Sequence, residues 1–254
     1  MKTEIVIPTS LSEIPLRSYQ EFMKVVEKSN DEEFIGQKTI EIFCGLKMKD
    51  VVKVKWSDVK SLTLHLNEIF KAKPKFQATF KIDNTEFGFI PNLEDMSFGE
   101  YIDLESNISS VETFHKAMAV MYRPITKKVK DRYEIFEYTG TDEFSDVMKF
   151  APLDVVMAAT VFFFDFRKRL STTYAYLFGD GDREESEDND FSERTQFNKR
   201  WGWYNSIYAL SQGDVTKFDE VTKLGVRKCL TYLTYERQKR EIEDRELKKI
   251  QRHG

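Results

Sequence analysis

The three histidines, His65, His115 and His253, are the first residues to consider for metal or acid–base chemistry. They lie far apart in the sequence, and neighbouring cysteines and histidines do not complete a zinc ligand set around any of them. His65 lies between Leu64 and Leu66, which indicates a partly exposed histidine on a helix. The sequence therefore predicts no metal site.

Paired carboxylates are the second possibility, because two of them in a cleft can act as general acid and general base. Asp154 and Asp165 lie in the most apolar stretch of the chain, where burial raises a carboxyl pKa. Along one helix they would be about 16 Å apart, too far for a cooperating pair. Asp154 is more simply a first-turn residue of that helix, and Asp165 the partner of a neighbouring basic residue.

Sequence motifs for phosphate binding, for a nucleophile elbow and for a zinc peptidase are absent from the chain. Short basic runs at 127–130 and near the C-terminus are interleaved with acidic residues, and the net charge is −4. Nucleic-acid binding requires a clustered positive surface, so it is not expected. We predict a protein that is not an enzyme and has no cofactor.

The composition is that of a globular protein, with 41% hydrophobic and 14% aromatic residues among 254. Cys44 and Cys229 are too few for a disulfide framework, and the first residues lack a secretory apolar stretch, so a reducing cytosol is expected. The longest apolar run, 151–166, is interrupted by Asp154 and Asp165 and is shorter than the ~20 residues of a membrane span. It predicts a buried helix and no association with membranes.

An acidic segment divides the chain. Residues 180–193 include eight acidic residues and one arginine. Such a block repels itself and is typical of a solvated linker. We therefore predict a mainly helical region at 1–178, an acidic linker at 179–191 and a smaller, all-helical region at 192–254.

Periodicity within the first region predicts helices and a β-hairpin. Apolar residues recur every three or four positions between about Leu16 and Ser29, and again in a helix that Asn30 or Asp31 caps and Gly45 ends. A third helix has Ser57 as its expected cap. Further predicted elements are a short strand at 4–7, a hairpin near 76–90, helices across 98–121, a weaker strand pair at 128–138 and a central helix after Pro152.

The C-terminal region is predicted to consist of a helix at 194–212 and a long helix at 225–251. The fold class is therefore α+β and predominantly α-helical, with a long terminal helix. In a continuous helix Trp201 and Tyr204 share one face with Tyr208, which favours core packing for them, whereas Trp203 projects elsewhere and is the better candidate for an outside contact.

The second half of the long helix is strongly charged. Seven basic and five acidic residues lie between 236 and 252, where Ile242, Leu247 and Ile250 are the apolar residues. A solvated face is one interpretation, and a partner laid against these three residues is the other. Their spacing does not form a sustained heptad, so a long coiled coil is not indicated.

Two sets of short segments resemble proteins of tailed bacteriophages. One set resembles virion-morphogenesis proteins and comprises LSEIPLRSYQ at 11–20, FGFIPNL at 87–93 and MSFGEYIDL at 96–104. The other resembles the downstream part of tail assembly chaperones and comprises RWGWY at 200–204, LSQGD at 210–214 and LTYLTY at 230–235. Together they extend over most of the chain.

The chaperone resemblance implies a two-part protein in the host cytoplasm. Its N-terminal domain would coat the tape-measure protein, and its C-terminal extension would recruit tail-tube subunits. On this chain the implied client-facing residues are Tyr19, Phe22 and Phe34, and those facing the second partner are Trp203 and Tyr204. Core packing is the alternative for each of them.

A structural role in the particle is the competing hypothesis. A connector, ring or baseplate subunit would use the hairpin and the terminal helix to bind neighbouring subunits around an axis. Those neighbours include further copies of this chain, so this hypothesis also covers a homo-oligomer. Such a subunit would remain in the virion.

Overall fold

The computed structural model describes residues 5–130, 132–178 and 201–253. These residues form a predominantly helical α+β fold with a four-stranded antiparallel sheet and a long C-terminal helix, as predicted. The chain divides into two compact units, the first comprising Met1–Pro91 and Leu104–Phe163, the second Asn92–Asp103 and Phe164–Gly254. The predicted linker at 179–191 lies outside the described residues, so the boundary between 1–178 and 192–254 stays a prediction.

The first unit begins with helices whose ends follow local sequence rules. Their bounds are α1 Leu16–Lys28, α2 Glu32–Cys44, α3 Met48–Val51 and α4 Trp56–Phe70. The Asp31 side chain accepts hydrogen bonds from the backbone N–H groups of Glu33 and Phe34 in the first turn of α2, and Gly45 ends that helix with a φ of 69° that favours glycine. Both features were predicted. Ser57 was wrong as the cap of α4, because that helix begins at Trp56 after Lys55.

The sheet joins two hairpins that are separated in sequence. Its strands are β1 Thr79–Ile82, β2 Thr85–Phe89, β3 Tyr122–Val129 and β4 Arg132–Ile135, in the order β1-β2-β3-β4, and all neighbours are antiparallel. The hairpin near 76–90 is confirmed. The second hairpin begins earlier than predicted, at Tyr122, directly after two helices, α5 Phe98–Ile108 and α6 Phe114–Met121. The predicted strand at 4–7 is wrong where it is described, since residues 5–7 have no regular secondary structure.

One face of the sheet carries aromatic side chains. Phe80 lies opposite Phe87 across β1 and β2, and Phe89 lies opposite Tyr122 across β2 and β3. The Tyr122 ring is fully buried, 5.0 Å from the Phe80 ring centroid, and its hydroxyl donates to the Gln77 carbonyl at 2.6 Å. Burial raises the pKa of this hydroxyl well above its usual range.

Two further helices complete the first unit, α7 Asp142–Met148 and α8 Leu153–Thr173, and α8 continues into the second unit. The apolar stripe predicted for α8 is buried, with Val155, Ala159 and Phe163 all at 1% exposure or less. Backbone hydrogen bonds from Leu16 to the Ala151 carbonyl and from Leu153 to the Ile14 carbonyl join the starts of α1 and α8. None of the helices in the described ranges is long and apolar enough to cross a membrane.

The second unit contains α9 Ala175–Phe178, α10 Trp203–Leu210, α11 Phe218–Thr222 and α12 Val226–His253. The segment 92–103 is joined to the start of α12 by backbone hydrogen bonds, from Phe98 to the Leu224 carbonyl at 2.7 Å and from Val226 to the Met96 carbonyl at 2.9 Å. An ion pair between Arg227 and Glu94 closes the same contact.

Candidate protein-binding surfaces

The aspartate and cysteine side chains that could carry chemistry lie on helices of the fold. Asp154 lies in the first turn of α8, as predicted, and its Oδ2 accepts a hydrogen bond from Gln77 at 2.8 Å, while Asp165 is exposed. Cys44 and Cys229 are buried, and burial raises the pKa of both thiols, that of Cys229 to about 11. Among the described residues no group of three His, Cys, Asp or Glu side chains could hold a metal ion.

His115 joins two elements of the first unit. The Gln20 amide of α1 lies 3.1 Å from His115 Nδ1 and donates to the Val111 carbonyl at 2.6 Å and to the Glu112 carbonyl at 3.0 Å. Burial, assisted by Lys149 and another nearby lysine, lowers the pKa of the His115 imidazole. The Gln20 amide therefore holds α1 against the turn before α6, with His115 beside it.

Two of the three predicted client-facing residues belong to an aromatic cluster inside the first unit. Phe22 contacts Phe43 and Phe70 with ring centroids at 5.3 and 6.4 Å, and Tyr19 lies 6.0 Å from Phe70. These contacts join α1, α2 and α4, and both side chains are half-buried. Phe34 is outside this cluster and is 38% exposed, so it is the member of the three that is available on the surface.

Trp203 does not project from its unit, and that prediction was wrong. Its ring makes edge contacts with Phe98, Tyr101 and Phe178, at centroid distances of 5.8, 5.5 and 6.3 Å. Trp203 therefore joins α10 to α5 and α9. Its assignment as a partner-binding residue stays a prediction.

The side chains expected in the core are instead exposed. Trp201, Tyr204 and Tyr208 are 42%, 47% and 56% exposed. The Tyr204 ring contacts Trp201 and Phe218, both at a centroid distance of 5.4 Å. We call these four residues, Trp201, Tyr204, Tyr208 and Phe218, the aromatic surface.

Gly202 interrupts the helix that was predicted to be continuous. Its φ of 43° and ψ of −123° lie outside the helical region, and glycine adopts such a conformation readily. The helix is therefore interrupted between Trp201 and Trp203, and positions before and after Gly202 do not follow one helical period. The sequence contained no signal for the exposed surface, because residues 201–213 include no charged side chain, and an uncharged stretch favours burial.

The end of α12 is the second exposed surface. All residues from 237 to 251 are exposed, and Ile242, Leu247 and Ile250 are 49%, 57% and 69% exposed. The contacts nearest to the end of α12 come from α9. Tyr176 donates a hydrogen bond to Glu241, and the Leu177 carbonyl accepts one from Arg237 at 2.9 Å. We call residues 242–253 the distal segment.

Comparisons with protein-family models, with curated protein sequences and with solved structures find no match to this chain. The fold and the exposed residues define a helical α+β protein with an exposed aromatic surface and a charged, exposed helix end, both in the second unit. Their chemistry is the basis for assigning a function.

Proposed function

We propose that this protein acts by binding other proteins and makes or breaks no covalent bonds. The observation that carries the proposal is the aromatic surface. Tyrosine and tryptophan are the residues most enriched at the energetic centres of protein interfaces, where they provide rigid apolar area together with a polar group. Here Tyr204 and Tyr208 are exposed on α10 and Trp201 is exposed just before it, with Asn205 and Ser206 as uncharged neighbours in sequence.

The size of the aromatic surface supports this proposal. An aromatic side chain has roughly 150–250 Å² of surface, so exposures of 42%, 47% and 56% leave about 300 Å² of aromatic area in contact with water. Apolar patches of roughly 300–600 Å² are the largest on typical monomers and are often functional. The aromatic surface reaches that range with three residues.

The bacteriophage resemblance gives the proposal a specific form. We propose a tail assembly chaperone of the host cytoplasm, which binds the tape-measure protein and tail-tube subunits. Tyr204 is then the leading contact with the second partner, with Trp203 holding α10 in place. In the first unit Phe34 would contact the client directly, whereas Tyr19 and Phe22 would first have to leave their aromatic cluster.

A structural component of the virion is the alternative, and the distal segment favours it. A helix that extends beyond its own core with Ile242, Leu247 and Ile250 exposed can be covered by a neighbouring subunit in a connector, ring or baseplate. Such contacts would be permanent, and the protein would remain in the particle.

Two measurements test these functions. Co-expression with the tape-measure protein of the same phage should keep that protein soluble if this chain is its chaperone, and the double variant Tyr204→Ser/Tyr208→Ser should lose the capture of tail-tube subunits, the second partner. Tyr235→Ser, which removes another exposed tyrosine of the second unit, is the matched control and should retain it. Mass spectrometry of mature particles should not detect the protein, and stoichiometric copies there would establish the structural alternative.

A further inference from the structure

We infer that the distal segment of α12 pairs with the same segment of a second copy of this chain, as two antiparallel helices around a two-fold axis. This pairing goes beyond the proposed function, because it involves a different surface from Tyr204 and Tyr208 and a different partner. Three features of the segment carry it: the exposure of its side chains, the arc of its apolar residues and the order of its charges along the helix.

The distal segment has an apolar stripe that its own chain leaves exposed. Ile242, Leu247 and Ile250 are 49%, 57% and 69% exposed. A helix turns by about 100° per residue, so these three side chains lie within an arc of about 140°. An apolar arc of that width is typical of a helix face that packs against another element.

The charges of the segment are ordered along the helix. Residues 241–246 include four acidic side chains and one basic side chain, whereas residues 247–252 include three basic side chains and no acidic one. Lys248 and Lys249 form no ion pair with the described residues. Glu243 lies 3.9 Å from Lys239, and such an exposed ion pair is weak. The first half of the segment is therefore net acidic, the second half is net basic, and both are available to a partner.

This order of charges selects the partner and its orientation. When two copies of the segment run antiparallel, the acidic half of each lies beside the basic half of the other, so opposite charges meet at both ends. In a parallel pair, acidic would lie beside acidic and basic beside basic, which is repulsive. The segment is thus complementary to a reversed copy of itself, and a two-fold pair of this kind closes as a dimer.

The apolar residues define the register. With the two-fold axis beside Glu246, Ile242 of each copy lies opposite Ile250 of the other, and Glu243 lies opposite Lys249. Leu247 lies one residue from the axis in both copies. The pairing spans residues 242–250, about 12 Å of helix, and the side chains of 237–251 are all exposed. Neither copy therefore has to unfold to form the pair.

The short overlap makes this a weak dimer. A standard protein interface buries about 1,600 Å² in total, and two helices that overlap for about 12 Å bury less than that. We expect a dissociation constant of about 10–100 μM. The chain is then a monomer in dilute solution and pairs where its copies are concentrated.

Sedimentation velocity of the full chain, at concentrations from about 5 μM to about 500 μM, tests the pairing. The native chain should change from monomer to dimer across this range. Glu243→Lys and Lys249→Glu should each weaken dimerisation about tenfold, because each places like charges opposite one another twice in the pair. The two substitutions together exchange the charges and should restore the dimer.

A matched control separates this contact from the effect of net charge. Glu27→Lys changes the net charge by as much as Glu243→Lys does, at an exposed position of α1, and should leave dimerisation unchanged. Glu243→Lys and Lys249→Glu change the net charge in opposite directions, so a loss in both variants also assigns the effect to a contact between opposite charges.

Cysteine cross-linking tests the register. Two copies of Glu246→Cys would face each other beside the axis and should form a disulfide-linked dimer under mild oxidation. In Glu243→Cys the two cysteines would lie about 9 Å apart along the helix, too far for a disulfide, so this variant should remain unlinked. The native Cys44 and Cys229 are buried and do not interfere.

Three outcomes would overturn the inference. They are a native chain that stays monomeric at the highest concentration, a charge-exchanged double variant that stays as weak as the single variants, and a chain without residues 243–254 that still dimerises. Equal cross-linking of Glu246→Cys and Glu243→Cys would also contradict the antiparallel pair. The proposed function is tested separately, because Tyr204→Ser/Tyr208→Ser should dimerise like the native chain while it loses the capture of tail-tube subunits.

Discussion

The ring of Tyr133 lies against Gly88, although β3 separates the strands that contain them. A Cβ atom added to Gly88 would lie 2.5 Å from Tyr133 Cε2 and 3.0 Å from Ile125 Cγ1. The Tyr133 ring therefore occupies the space that a side chain at residue 88 would need. Its hydroxyl donates to the Phe89 carbonyl at 2.9 Å, so one side chain of β4 holds β2 from across the sheet.

Gly88→Ala is expected to destabilise the protein by about 1–3 kcal/mol, because the added methyl group forces the Tyr133 ring out of its position. Urea unfolding measures the change. Gly225→Ala is the matched control and should be close to neutral, since nothing lies within 4 Å of its Cβ position. Combining Gly88→Ala with Tyr133→Ala should cost less than the sum of the two single changes. Strictly additive costs would contradict the contact.

Tyr133 and Gly88 also show where sequence analysis of the fold succeeds and where it stops. The ends of α2 were predictable because Asp31 and Gly45 act on the backbone beside them. The pairing of Phe87 with Pro124 was not predictable. It joins two hairpins that are far apart in the sequence, and local patterns do not encode such long-range pairing. The fold class followed from the local elements, and the single four-stranded sheet did not.

The exposed aromatic surface was missed for a different reason. Helical periodicity states which side chains share a face, but it does not state which face meets the core. In the second unit Phe98 and Tyr101, from a distant part of the sequence, pack against Trp203 and so decide that face. Gly202 then separates Trp201 from the helical period of α10.

The two neighbouring tryptophans should therefore differ in their effect on stability. Trp203→Ala is expected to cost about 3 kcal/mol, since it removes a ring packed against three aromatic side chains. Tyr204→Ser is expected to stay within about 0.5 kcal/mol, because nearly half of that side chain is already exposed. Urea unfolding followed by circular dichroism compares them. Equal costs would mean that Tyr204 is a packing residue and is not free to bind a partner.

His115 should make stability fall in mild acid. The pKa of its imidazole is lowered in the folded protein, so the unfolded chain takes up the proton more readily. Its contribution is complete above about pH 6.5, the ordinary histidine pKa, and is lost as the pH falls through the lowered value. The Gln20 amide nitrogen lies 3.1 Å from Nδ1, and a protonated Nδ1 can no longer accept a hydrogen bond from it.

The measurement is the free energy of unfolding at several pH values between 7 and 5. We expect a steady decrease in the native chain and a flatter profile in His115→Gln, because the glutamine side chain at this position does not titrate. The carboxyl groups with lowered pKa values, such as Glu94, have an ordinary pKa of about 4.5 and titrate below this window. An unchanged slope in His115→Gln would assign the pH dependence to other residues.

The distal segment should contribute almost nothing to the stability of its own chain. Deleting residues 243–254 retains Glu241 and its contact with Tyr176, and among the deleted residues those with described side chains are all exposed. The melting temperature is therefore expected to change by less than about 2 °C, whereas Leu233→Ala, in the buried part of the same helix, should lower it by roughly 5 °C or more. Differential scanning calorimetry makes the comparison.

Because an isolated helix of this length is marginal in water, the amide protons of 243–251 should exchange rapidly until a partner covers them. A deletion as damaging as Leu233→Ala would show that the segment packs within the protein and is not an exposed contact for another chain.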